Sequence, residues 1–445
     1  MQGNLFFSLE YLSNEIDLLL SDPPVNSFVT NAATYNQFQV ATTLDTLTNY
    51  YTSGDLHDLL QQLLLLSPEQ QQTAFNQLAG DIYASQTSIE LQTTTTWMQL
   101  ISNRLATQAQ AAMTYNEGFV ANDSPVTASV DSEIYQVSYN QPIEGSGTST
   151  QPRMSFRRVP RNQWTAWTQG YGLGGTVASN GNAGGVNYGL GGTVFGLDRW
   201  ADENTAIGVL GGYAGSSARD TLVPSSTSIN GYQIGVYGIR TSGPLYLSNI
   251  DAYSNDTYQA TRQIGTGREV LTAKSNTYSN QWAHYTELGG TCGSRSAGVQ
   301  PFVGIQYIYL DQRAFGETGA GAANLLVGSQ YTNSVRGSIG TRLFCQRRYG
   351  NKIVMPVASA RYQREWGDGT RLITSSFAGA PTVAFNTAGN DLGRDFGLFG
   401  LGANVILSSR TTLYAGYDLQ VAQRYTATWE AAACSIAGRA RLNGT

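Results

Sequence analysis

The sequence predicts an all-β fold: an antiparallel transmembrane β-barrel of about twelve strands, preceded by an N-terminal, mainly helical region. Three observations carry this. From Trp164 onward, side-chain polarity alternates with a period of two in about twelve segments, the pattern of strands whose successive residues face opposite sides. Charged residues make up 13% of the 445, where a soluble surface usually needs about 25%. Mean hydropathy is −0.23, and no run approaches the roughly 18 apolar residues of a membrane helix. Low charge without such a helix fits a barrel in which every second residue meets lipid and windowed hydropathy averages out.

Residues 1–110 are expected to be helical. Asp22-Pro23-Pro24 breaks the first short segment. Asn36–Tyr50 places Phe38, Val40, Ala41, Leu44 and Leu47 near helical spacing, and His57–Leu66 is rich in leucine. Ser67-Pro68-Glu69-Gln70 combines a capping serine, a proline at the first helical position and a capping-box glutamine, and Gly80 suits the stop. Trp97, Ile101 and Leu105 recur at i, i+4 and i+8 within a longer helix from about Ile89. These apolar stripes suit packing within a small helical bundle or, less economically, a partner-binding face.

Residues 111–162 are polar and aperiodic, a linker that could thread the lumen; they end with Arg153, Arg157, Arg158 and Arg161, which suit lipid phosphate, a pore mouth or a solvated charge cluster. The barrel is expected over 163–445. Its clearest strand is Gln300–Leu310, with Pro301, Val303, Ile305, Tyr307 and Tyr309 on one face and Gly304 and Gln306 in the middle of the other. The last strand is expected over Tyr425–Ala433. Short breaks such as Thr241-Ser242-Gly243 alternate with long polar stretches such as Asp256–Thr272, Ala314–Gly328 and Gly367–Asn390, as turns and loops do at the two ends of outer-membrane barrels.

Charge decides which face is inward. Asp251, Glu287, Arg336, Arg342, Arg361 and Asp418 fall mid-strand and are assigned to the lumen, because a mid-plane Arg facing lipid costs roughly 2–4 kcal/mol. Val303, Ile305, Tyr307, Tyr309 and Trp429 are assigned to the lipid face or its aromatic girdle, with Trp282, Trp366 and Tyr417. Inverting the faces would leave a very wide twelve-stranded interior that the many glycines cannot fill.

Several chemistries are disfavoured. A net charge of −5 argues against nucleic acid as the main partner. Cys292, Cys345 and Cys434, with His57 and His284, give neither a disulfide framework nor a metal-ligand spacing. Gly170–Gly175 matches G-x-G-x-x-G, but it lies inside a period-two strand with no helix after it. His284 and Glu287 differ in parity and face opposite sides. No catalytic residue, cofactor or metal is assigned, and no enzymatic activity is expected of this chain.

The run Trp167-x-x-Gly170-Tyr171-Gly172, the strand GLGGTVFGLD at Gly189–Asp198, IGVLGGYAGSS at Ile207–Ser217, the helical segment LSPEQQQTAFNQLAGDIYAS at Leu66–Ser85 and TLYAGYDLQ at Thr412–Gln420 follow one another in an order that resembles the autotransporter translocators of type V secretion. The resemblance implies a barrel in an outer membrane that exports or displays an N-terminal passenger at the cell surface. It further implies partners in lipid, in the barrel assembly machinery and in its own passenger segment. The N-terminus carries no recognisable signal peptide, so a longer precursor is expected. Two departures stand out. The family ends in a terminal aromatic, whereas here Trp429 is followed by AAACSIAGRARLNGT; and the family commonly places a helix in the lumen, whereas 111–162 has no helical period. A surface adhesin anchored by the barrel and a porin-like pore are the alternatives.

Overall fold

The computed structural model describes residues 27–116 and 163–439, apart from 295, 350, 351, 370, 391, 409 and 410, together with short strands between 6 and 21 and between 129 and 157. Among these residues, twelve long strands form one antiparallel sheet: β1 (Gln163–Val177), β2 (Val186–Trp200), β3 (Thr205–Asp220), β4 (Ser225–Ser242), β5 (Leu245–Gly265), β6 (Val270–Gly290), β7 (Ala297–Gln312), β8 (Gln330–Cys345), β9 (Lys352–Glu365), β10 (Asp395–Ile406), β11 (Thr411–Ala422) and β12 (Tyr425–Arg439). Each pairs with its neighbours in sequence, and β12 pairs with β1 from Tyr425↔Val177 to Arg439↔Gln163. The sheet is therefore closed, which leaves it no edge.

The last strand runs to Arg439 rather than stopping at Ala433. Beyond the last aromatic the alternation persists in small residues, and Cys434–Arg439 completes the ladder against Gln163–Thr168. Likewise, the polar stretch Asp256–Thr272 is mostly strand, because β5 and β6 stay paired from Leu245↔Gly290 to Gly265↔Val270. Backbone pairing does not need an apolar outer face once a strand has left the hydrocarbon.

Both ends of the barrel chain lie at one rim, here the turn end, with connections as short as 243–244. The opposite loop end carries the long connections 313–329 and 366–394, which build a small sheet of Phe315–Gly316, Leu325–Val327, Leu372–Phe377 and Ala384–Ala388.

Among the described residues four α-helices precede the barrel: α1 (Tyr35–Tyr50), α2 (Asp55–Leu64), α3 (Pro68–Ala79) and α4 (Ile82–Asn116). The capping box forms at α3, where Gln70 N donates to Ser67 Oγ (3.3 Å) and Ser67 N to Gln70 Oε1 (3.0 Å). Gly80 ends α3 at φ +69°, and a Cβ there would stand 2.7 Å from Leu325 Cδ1. Helices α1–α3 form a cap whose core, including Leu44, Leu60, Phe75 and Leu78, is shared with Leu325, Ile373 and Phe377 of the loop sheet.

Helix α4 shares only its first turn, Ile82–Ala84, with that cap. It runs down the barrel, and its Trp97, Ile101 and Leu105 belong to the same buried cluster as Tyr171, Leu190 and Trp429 of the wall. The polar stretch 111–162, considered above as the lumen thread, lies outside the described residues beyond Asn116 except for short strands, and its arginine side chains lie outside them too. The segment found in the lumen is a helix drawn from the region expected to lie outside.

Candidate functional site: the filled lumen

Helix α4 is polar on most of its circumference: IYASQTSIELQTTTTWMQLISNRLATQAQ. A helix of this kind gains little from an apolar groove. It suits a cylinder lined with hydrogen-bonding groups, and part of its polarity is spent on itself. Thr93, Thr95 and Thr96 donate their hydroxyls to the carbonyls of Ile89, Leu91 and Gln92, four residues back.

The remaining groups meet the wall. Gln86 Nε2 donates to Thr227 Oγ1 (2.6 Å) at the loop end. Gln92 Nε2 reaches Gln420 Oε1 (2.6 Å), Thr94 donates to Gln281, and Thr95 Oγ1 accepts from Arg336 Nη1 (3.0 Å). Gln110 Nε2 meets Gln300 Oε1 (3.3 Å) at the turn end. The helix therefore enters at the loops and leaves at the turns. Each such bond between neutral groups contributes about 0.5–1.5 kcal/mol net.

Two charged clusters anchor the lower half. Arg342 grips Glu287 with Nη1 to Oε1 (2.8 Å) and Nη2 to Oε2 (3.0 Å), while Tyr246 and Tyr285 each donate to Glu287 at 2.6 Å. Ser102 of α4 donates to Glu287 Oε2 at 2.9 Å, and Asn103 Oδ1 accepts from Arg342 Nε at 3.2 Å. Arg361 stands 3.7 Å from Glu287, and both arginines lie over the Phe302 ring. In the second cluster Arg104 of α4 meets Asp198 of β2 at 2.5 Å, and Tyr237 Oη donates to the same oxygen at 2.8 Å. A cavity of ≈ 90 Å³ separates α4 from β9–β12 near Arg104, Arg342 and Asp418.

Glu287, Arg336, Arg342, Arg361 and Asp418 project into this lumen, and Val303, Ile305, Tyr307 and Tyr309 project from the outer wall. Two assignments reverse. Trp429 is 3% exposed and points inward with the apolar cluster around α4. Asp251 points outward. Its β5 neighbours Ile250 and Ala252 take the lumen instead. The assignment weighed only the cost of charge against lipid; this lumen is filled by a helix whose apolar residues need apolar wall. Asp198, Arg104 and Glu365, which accepts from Arg336 Nε (2.9 Å), were not singled out in the sequence. Their parity would have identified the strand residues, but nothing in the chain order pairs α4 with β2.

On the outer wall Asp251 joins His284 (2.7 Å), His284 joins Thr286 (2.8 Å), and Thr286 donates to Asn249 (2.6 Å). Asp251 and His284 are 42% and 31% exposed at the side chain. They share a row with Val209, Val236 and Tyr307, on the turn side of the aromatic row Tyr253, Trp282 and Tyr309. Each of the four has a partner inside the group, which limits the cost of facing hydrocarbon. Replacing this polar pair with Asp251→Leu and His284→Phe is expected to stabilise the barrel in vesicles by about 1–4 kcal/mol, read from denaturant unfolding. Lower stability of the double variant would show that this row does not meet lipid.

Residues 166–418, more than half the chain, match the family model of the autotransporter beta-domain. The chain belongs to the autotransporter β-domain family. Family membership indicates an outer-membrane translocator role. Among solved structures the chain is similar to the translocator domain of the autotransporter NalP from Neisseria meningitidis, at 17% identity and a TM-score of 0.50, over 61% of this chain and 88% of that one. It is also similar to the beta domain of the Bordetella autotransporter BrkA (16% identity, TM-score 0.46, 62% of this chain and 99% of that one). The transport unit of AIDA-I from Escherichia coli follows (14%, TM-score 0.43, 62% and 90%). No curated protein matches the chain. Among the described residues of this translocator, no three His, Cys, Asp or Glu side chains gather to hold a metal.

At the loop end, above the aromatic row, Asp81 begins α4. Burial first, then the charge of Asp220, pushes its carboxyl up to about 7. The ordinary value is about 3.9, so the folded state holds the proton more tightly than the unfolded one. The resulting stability is complete below about pH 4 and is lost as pH rises through 7. Once the intrinsic rise of exchange with pH is divided out, the protection of the amides around Asp81–Glu90 is therefore expected to fall several-fold between pH 6 and pH 8, and Asp81→Asn to flatten that dependence.

Proposed function

We propose that the barrel exports, or holds at the cell surface, a passenger segment lying N-terminal to α4, and that α4 is the trailing part of that segment left in the lumen after passage. The observation that carries this is the direction of α4: its start lies among the loops and its end at the rim from which β1 departs. In an outer membrane the long loops face outward, so chain before Ile82 would stand outside the cell. The largely polar circumference of α4 suits passage through a hydrogen-bonding lumen, and its charged and apolar contacts with the wall suit arrest there.

The cap supports display over release. Helices α1–α3 share an apolar core with the loop sheet, and Asn36 both donates to the Ala388 carbonyl and accepts from its N–H, each at 2.9 Å. An adhesin anchored by the barrel is compatible with this cap; a porin-like pore without passenger is opposed by the filled lumen. Insertion by the barrel assembly machinery is part of the same proposal.

A reporter epitope inserted ahead of Asn36 tests it. Labelling of the epitope on intact cells is the expected result. An epitope reached only after the outer membrane is opened would rule out translocation, whatever the state of the barrel.

A further inference from the structure

The rim where α4 begins holds a cluster that translocation does not use. The Asp81 carbonyl accepts from Ser85 N (3.1 Å), as the residue before a helix does, and its side chain is buried, with the residue 5% exposed. Asp220 ends β3 on the facing wall and accepts from Leu222 N (2.6 Å) and Val223 N (3.0 Å) through Oδ1. Both carboxylates come to Gly184: its N–H donates to Asp81 Oδ2 (3.2 Å), and a Cβ on it would stand 2.2 Å from Asp220 Oδ1 and 2.6 Å from Oδ2. The missing side chain is what allows the approach. Asn390 closes the group. It is 3% exposed, its Nδ2 donates to the Gly184 carbonyl, and its Oδ1 is buried with no hydrogen-bond partner among the described residues.

Two carboxylates brought together, Asp81 buried and Asp220 half-buried, repel each other unless a proton or a cation sits between them. The cation whose charge reaches Asp81 is Arg262, and it is committed to Glu317 through two bonds of 2.8 and 2.6 Å. The group is otherwise made of hard oxygens: two carboxylates, an amide oxygen and a backbone carbonyl. It contains no histidine or thiolate, which softer metals prefer. Oxygen ligands of mixed charge, with water completing the shell, are what calcium takes.

We propose that Asp81, Asp220 and Asn390 bind a hard divalent cation of the calcium class, which fastens the start of the lumen helix to the mouth of the barrel. One ligand comes from the residue that precedes α4, one from β3 and one from the long 366–394 connection, so the ion ties the plug, the wall and the loop sheet at one point. With only two carboxylates the affinity falls in the range of extracellular calcium modules, about 10⁻⁴–10⁻³ M. The site does not depend on export, since it joins parts of the folded molecule.

The test uses the full chain refolded in detergent, titrated with calcium chloride by calorimetry at pH 8. Saturable binding is expected. Asp220→Asn is expected to weaken it at least about tenfold, as loss of one of two anionic ligands should, whereas Asp251→Asn, on the outer wall, leaves it unchanged. Asp81→Asn repeats the test from the helix side, and the mobility of unboiled samples shows that each variant is folded. Binding equal in Asp220→Asn and the parent chain would overturn the site. So would a parent chain that binds no calcium above about 10⁻³ M, which would leave a shared proton as what joins the two carboxylates.

Discussion

Removing residues 1–116 is expected to raise the single-channel conductance of the refolded barrel by roughly tenfold or more, because a twelve-stranded wall encloses more width than its own side chains fill. Helix α4, about 10–12 Å across with its side chains, occupies that width from Gln86 to Gln110. Once it is gone, Glu287, Asp198 and Arg342 face water, which costs little, and each retains a tyrosine or ionic partner on the wall: Tyr246 and Arg342 for Glu287, Tyr237 for Asp198. The wall should therefore stay open. A chain that lacks only 28–80 should remain at the low conductance, since the lumen contacts of α4 do not involve α1–α3. Equal conductance for the full chain and the chain without 1–116 would mean that the wall collapses inward or that α4 is not the plug.

Glu287→Ala carries the second large effect. The carboxylate is fully buried and receives two bonds from Arg342, two tyrosine hydroxyls and Ser102. Its removal leaves Arg342 and Arg361, both deep in the wall, facing each other over one phenylalanine ring. Breaking a buried pair from one side costs about 3–5 kcal/mol. The expected result is a barrel that loses its compact gel mobility at markedly lower temperature. Adding Arg342→Met should return part of that loss, because one of the two uncompensated charges goes with it and Arg361 remains. If the single variant is as stable as the parent, water has already reached Arg342 and α4 does not seal this level of the lumen.

Much of the barrel was legible because alternation and turn chemistry are local. Gln300–Leu310 reveals its two faces without reference to any other strand, and Ser67 with Gln70 marks a helix start from four residues. What was hidden depended on what fills the lumen. Ile250 and Asp251 are neighbours, and polarity alone favours sending the carboxylate inward. The structure does the opposite, since Ile250 is needed against an occupant whose own apolar residues lie about 150 positions away, while Asp251 is satisfied by His284 on the next strand. Trp429 follows the same logic. The lumen occupant was itself obscured, because the all-round polarity of α4 left its stripe at Trp97, Ile101 and Leu105 indistinguishable from the face of a bundle helix.

The contact between Asn36 and Ala388 has a consequence for how molecules behave toward one another. The loop sheet ends at Ala384–Ala388, a strand with no further neighbour in that sheet, and an uncovered strand edge is a template for another chain. One asparagine side chain occupies part of that edge as a strand would, giving and taking one bond with the same residue. Without α1 the edge is free to recruit a strand from a second molecule. Barrels stripped of α1–α3 are therefore expected to self-associate through their loops more than the full chain, read from the size of the detergent-solubilised particle.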